Sequence, residues 1–206
     1  YSEPNAGSDL AAIQTRAVED GDYLVINGQK TWSSGAHVSD FAWMLVRTDP
    51  NAHKGISLVI VDNKSEGITI RPLINICGFH SFNEVFFDNV RIPKKNIIGE
   101  RNRGWHYAMA ALDFERLVVP VGGFKRTFEE LVQWARETRN NGEALTDEPI
   151  IRDKLADIAI DIEVAYMFFW QTAWMLDRGL VPNIEASVLK LVTTALSRKL
   201  AYASVD

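Results

Sequence analysis

The hydrophobic pattern of this chain changes its period once, just after Pro93, and that change limits the folds open to it. Before it, apolar residues come in short runs bounded by turn formers: Tyr23 to Asn27, Phe41 to Arg47, Ile56 to Val61, Ile68 to Arg71, and Glu84 to Ile92. These read as strands, and Asn27-Gly28 reads as a turn that ends the first. Regular punctuation by turn residues suits an antiparallel barrel or sandwich. After Pro93 the apolar positions recur at steps of three and four. Ile151, Leu155, Ile158, Ile162, Ala165, Phe169, Ala173 and Leu176 predict an amphipathic helix. Thr146 is its expected cap, with Asp147 and Glu148 in the first turn, and Gly179 and Pro182 end it. Gly104 to Arg139 is compatible with one long helix that Pro120 and Gly122-Gly123 interrupt. A further helix runs from about Asn183 to the last residues. The expected fold class is α+β: an antiparallel β-barrel or sandwich-like domain over 1–98, then a truncated α-helical bundle over 99–206.

The length of 206 residues suits one large domain or two small ones. A net charge of -5 gives no electrostatic footprint for nucleic acid. No apolar run is long enough for a membrane span, and no signal-peptide pattern opens the chain. The single cysteine, Cys77, rules out an internal disulfide framework and fits a reducing compartment. His37, His53, His80 and His106 have no ligand spacing, so no metal site is expected. Tyr1-Ser2-Glu3-Pro4 opens without a methionine, and Leu200 to Asp206 stops within a helical pattern. Both ends read as cuts in a longer chain.

Three segments carry chemistry-bearing residues. Leu112 to Gly122 sets Asp113, Glu115 and Arg116 in an otherwise apolar stretch. Ionised groups are rarely buried without a partner or a job. Glu115 is a candidate general base; a glutamate on a solvated helix face is the alternative, and composition leaves both open. Ser2-Glu3-Pro4-Asn5-Ala6-Gly7-Ser8-Asp9 is either a capped surface loop or a loop whose amides and hydroxyls meet a cofactor ring or phosphate. Lys30-Thr31-Trp32-Ser33-Ser34-Gly35-Ala36 is either a strand end with a core Trp or a stacking, hydrogen-bonding wall for a planar ligand.

In this order the segments resemble the acyl-CoA dehydrogenase family. That family's β-domain opens with Thr-Glu-Pro-x-x-Gly-Ser-Asp, here Ser2 to Asp9 with Ser for Thr. Its next flavin motif, Lys-x-Trp-x-Thr-Asn-Gly, is matched by Lys30, Trp32 and Ser34, with Gly35 where Asn is usual. Its closing Phe-x-x-Val-x-Val-Pro is similar to Phe87 to Pro93, and Leu155-Ala156-Asp157-Ile158 resembles its second bundle helix. Leu112 to Val118 resembles the isovaleryl-CoA type, which carries its catalytic base on the first bundle helix, at the position of Glu115.

The resemblance implies FAD as cofactor and α,β-desaturation of an acyl-CoA, as in fatty acid β-oxidation. Glu115 would remove the α-proton while the β-hydride passes to flavin N5. Its pKa would be raised by apolar surroundings. Ser2 and Ser34 would hydrogen-bond the isoalloxazine, with Tyr1 in the same loop and Trp32 packed beside the ring. Ser8 would lie near the substrate, and Asp113 and Arg116 would contact its CoA part. It further implies an electron-transferring flavoprotein as acceptor, a homo-oligomer (dimer or tetramer), and a cytoplasmic rather than mitochondrial-matrix location. The family's N-terminal helical domain and last bundle helices would lie outside this chain.

One departure stands out. The family's Arg-x-x-Phe-Gly, which touches FAD across a dimer, is replaced: aligning Gly142 sets Thr138 and Asn141 at the Arg and Phe places, with Arg139 one residue displaced. That raises a second reading, a subunit of a heteromeric dehydrogenase that supplies only some of the sites. A same-fold acyl-CoA oxidase or flavin monooxygenase is a third, and an unrelated binding module a fourth.

Overall fold

The computed structural model describes residues 1–51, 54–116 and 121–205; Asp113 is described by its backbone alone. His53, Leu117, Val118, Val119, Pro120 and the side chain of Asp113 therefore lie outside the described residues. The chain divides into two compact units, Tyr1–Ala110 and Ala111–Asp206.

The first unit is built on one six-stranded sheet. Its strands are β1 (Arg16–Asp20), β2 (Tyr23–Lys30), β3 (Phe41–Arg47), β4 (Ile56–Asp62), β5 (Ile68–Ile74) and β6 (His80–Pro93), in the order β4-β3-β1-β2-β6-β5. Neighbours pair antiparallel except β1 and β3, which meet parallel at Arg16 and Arg47. Alternation sends Leu24 and Ile26 of β2, and Val90 and Ile92 of β6, into one core. Met44 to Val46 of β3 and Ile56 to Val59 of β4 are buried in succession, so both sheet faces are covered over those residues. Met44, Val46, Val59 and Val61 join the first core, while Leu45, Ile56 and Leu58 join a second. The second core is completed by Ala6, Leu10 and Ile13 and by Ala108 of helix α1 (Gly104–Glu115).

Asn27-Gly28 is not a turn. β2 runs on through it to Lys30, with a register shift against β6 between Ile26 and Gly28. A Cβ on Gly28 would lie 2.6 Å from the Thr15 Cα, so the glycine permits close backbone approach, as in a bulge. Asn27 instead ties the strands: its Oδ1 accepts from the Asn89 amide at 3.0 Å.

In the second unit, α2 (Val121–Glu137), α3 (Pro149–Asp177) and α4 (Asn183–Ala203) pack together. Val121, Ile158, Ile162, Ala165, Leu196 and Leu200 form the core, with Phe124, Phe128 and Phe169 against it. The expected periodicity of α3 holds, since all eight positions named from sequence are buried or half-buried. Its start differs. Leu145–Asp147 forms a 3-10 turn and Glu148 is the residue before the helix, so Thr146 is not the cap. The single helix expected over Gly104 to Arg139 is two, α1 and α2, and Gly122-Gly123 lie within α2. β7 (Arg139–Asn140) and β8 (Glu143–Ala144) form a small unexpected hairpin. A second side of α3, marked by Ile160, Met167, Trp170 and Trp174, is exposed. Among the described residues, no helix is long and apolar enough to cross a membrane.

Candidate functional site

In the first unit two of the sequence motifs meet. The Thr31 amide donates to the Ser2 carbonyl at 2.9 Å. Lys30 Nζ donates to the Tyr1 carbonyl at 3.1 Å and to Glu3 Oε1 at 2.7 Å. Glu3 in turn accepts from the amides of Gln14 and Thr15, at 2.6 and 3.0 Å. A carboxylate with this many donors stays charged even when buried. Burial alone pushes the Glu3 carboxyl up, but the Lys30 charge and the donated hydrogen bonds outweigh it and hold it below its ordinary range. Burial pushes the Lys30 ammonium down, and Glu3 offsets part of that.

This joint borders a cleft of about 270 Å³. Tyr1, Trp32, Ser33 and Ser34 line it from the two motifs, Phe41 and Trp43 from β3, and Phe87 from β6. Trp32 is 62% exposed and Ser34 is exposed, so an aromatic plane and a hydroxyl face open space. Trp43 Nε1 donates to the Tyr1 hydroxyl. Exposed aromatic faces beside unburied hydroxyls suit a planar heteroaromatic ligand with polar edges. The isoalloxazine of FAD has that chemistry; of the residues expected to meet it, Tyr1, Trp32 and Ser34 line the cleft, and Ser2 adjoins it through its carbonyl bond to Thr31.

Ser8 belongs to the first unit, and Glu115 and Arg116 to the second. Ser8 is exposed in the bend before the 3-10 turn Leu10–Ala12. Glu115 ends α1 and is solvent-exposed, as is Phe114. Among the described residues, none buries the Glu115 side chain. Arg116 follows in a turn, and its guanidinium donates to Ser187 Oγ of α4 at 3.1 Å. At the departure from the family pattern, Asn141 has a left-handed backbone (φ 52°), Arg139 is exposed on β7, and Asn140 Nδ2 donates to Glu148 Oε1 at 2.9 Å.

Sequence reasoning did not find Trp43 and Phe41 as cleft residues, nor the Glu3–Lys30 pair beside it. A signal existed for the pair: Lys30 is the one charged residue of its motif, and Glu3 is one of two acidic residues, with Asp9, in the other.

Comparison with known proteins places these features. Residues 1–90 match the family model described as acyl-CoA dehydrogenase, middle domain, and residues 102–206 match that described as acyl-CoA dehydrogenase, C-terminal domain. The chain is 38% identical over 176 residues to the acyl-CoA dehydrogenase FadE29 of Mycobacterium tuberculosis, covering 84% of this chain and 46% of that one. It is 44% identical over 160 residues to IpdE1 of the same organism, also named an acyl-CoA dehydrogenase, covering 75% and 40%. The ChsE4-ChsE5 complex from Mycobacterium tuberculosis is similar in structure, with a TM-score of 0.87 and 35% identity over 98% of this chain and 54% of that one. This chain therefore spans about half the length of such relatives.

Proposed function

The chain belongs to the acyl-CoA dehydrogenase family, and on that premise we propose that the full-length protein carrying it performs FAD-dependent α,β-dehydrogenation of an acyl-CoA thioester. The observation that carries this reading is the joining of the Ser2 segment to the Lys30–Gly35 loop beside the cleft that Trp32 and Ser34 line.

The α-proton of a thioester is weakly acidic, because the carbonyl accepts the charge left behind. A base must be positioned to take it. Glu115 is that base in our reading, its carboxylate receiving the α-proton as the α,β-double bond forms. Ser2 and Ser34 hold the polar edge of the ring with their hydroxyls, and Trp32 and Tyr1 flank it and keep water from it. The chemistry that FAD supplies when bound is acceptance of the β-hydride. Ser8, Asp113 and Arg116 bind the substrate, and Arg116 suits an anionic CoA phosphate because its guanidinium is always charged. An electron-transferring flavoprotein is the proposed electron acceptor.

A second reading has one specific observation behind it. Thr138 and Asn141 stand where the family carries its cross-subunit flavin contacts. A protein lacking that pair suits a heteromeric assembly in which a partner completes the site. One structural relative is itself described as a complex of two proteins.

The visible spectrum of the full-length protein, before and after a panel of acyl-CoAs, tests the proposal. A flavin band that bleaches with one of them supports it. A colourless protein contradicts it, whereas a bound flavin that reduces only with a second subunit present supports the heteromeric reading.

A further inference from the structure

Trp32 has a left-handed backbone, φ 56°. That conformation is costly for a bulky aromatic and persists only where its surroundings impose it. On one side the imposing contact is the Thr31 amide on the Ser2 carbonyl. On the other, a single residue holds both backbone groups of Ser33. The Ser33 amide donates to the Asn83 carbonyl at 3.0 Å, and Asn83 Nδ2 donates back to the Ser33 carbonyl at 2.9 Å. Asn83 lies on β6, fifty residues from Ser33, and is fully buried.

We propose that Asn83 is a positioning residue for the cleft: its side-chain amide clamps the turn that keeps Trp32 left-handed, and so sets where the indole and the Ser34 hydroxyl are presented. The inference rests on the reading of this cleft as the flavin wall.

The hydrogen-bond logic fixes the orientation of the amide. The Ser33 carbonyl only accepts, so Nδ2 must face it. Oδ1 then faces His80 Nε2 at 2.7 Å, and that nitrogen must carry a proton. The second Nδ2 hydrogen faces His37 Nδ1 at 3.1 Å, and that nitrogen must be bare. The two imidazoles stack with centroids 3.8 Å apart at 19°, each meeting the amide through one ring nitrogen. Both amide hydrogens and the amide oxygen are thereby used. A side chain satisfied on every side is held in one rotamer, as a clamp requires. Phe82, the neighbour of Asn83 on β6, meets the Trp32 ring edge-on at 6.0 Å and 81°. One strand thus fixes both the backbone and the ring of Trp32.

Asn83→Ala and His80→Ala in the full-length protein test this. His80 is exposed, so its removal deprives Oδ1 of its donor at little cost to folding. Three readouts are compared with wild type: the FAD dissociation constant, the visible circular dichroism of bound flavin, and amide exchange of residues 31–35 without flavin. Asn83→Ala is expected to weaken FAD binding about tenfold, the equivalent of one hydrogen-bonded contact. It should also change the flavin dichroism and speed exchange in 31–35, leaving 23–27 unaffected. His80→Ala should shift the same three readouts by less. A lowered melting temperature with all three unchanged would overturn the proposal, since a merely structural amide does no more. Should Asn83→Ala fail to fold, unchanged readouts in His80→Ala overturn it equally. A wild-type protein that binds no flavin contradicts the proposed function instead, and the exchange comparison still decides the role of Asn83.

Discussion

Lys30 Nζ lies 2.7 Å from Glu3 Oε1, and both side chains are buried. Two charges removed from water are tolerated here because the carboxylate also receives two backbone amides and the ammonium also meets the Tyr1 carbonyl. The pair fastens the first segment of the chain to the end of β2, and the cleft is built on that joint.

Lys30→Met should destabilise the first unit by about 3–5 kcal/mol, the usual cost of leaving a buried charge without its partner. Chemical denaturation followed by far-ultraviolet circular dichroism measures it. A loss well under about 1 kcal/mol, as for exposed pairs, would mean that Glu3 is served by its amides alone.

Glu3 also predicts acid sensitivity. Its folded pKa is held below the ordinary carboxylate value. Its contribution to stability is therefore complete above the unfolded carboxylate pKa and is lost as pH falls through the folded one. The stability difference between wild type and Glu3→Gln should be largest near neutral pH and shrink on acidification. A difference that stays constant from neutral pH down to pH values below the ordinary carboxylate range would contradict the assignment.

What the sequence revealed followed periodicity. The apolar steps of α3 identified its packed side, because Ile158, Ile162 and Ala165 recur on one helix face. β1 escaped notice because Ala17 is its only buried residue, which leaves no alternation to read. Asn27-Gly28 has turn chemistry, but the local signal cannot report that Thr15 presses against Gly28. Apolar neighbours left Glu115 open as a buried base or a solvated helix-face residue, because consecutive helical residues point about 100° apart and sequence neighbours need not cover it. Trp32 and Ser34, which line the cleft, belong to a segment whose residue types stand out locally. Asn83 carries no such signal, since its role depends on a contact fifty residues away.

Arg116 already has a protein partner in Ser187. Arg116→Ala should weaken binding of a non-reactive acyl-CoA analogue by more than it weakens FAD binding, and Ser187→Ala should change either far less. Titration of the oxidised protein measures both. Unchanged analogue affinity with lowered thermal stability would make Arg116 a structural anchor to α4.

Glu115 as the base is tested most directly by anaerobic, single-turnover reduction of the flavin by an acyl-CoA in full-length wild type and Glu115→Gln. The amide keeps the shape of the side chain but cannot take a proton. The variant should fold and bind FAD as wild type does, and reduce it about 10²–10⁴-fold more slowly. Flavin reduction at near wild-type rate in Glu115→Gln would contradict that role and move the base to another residue.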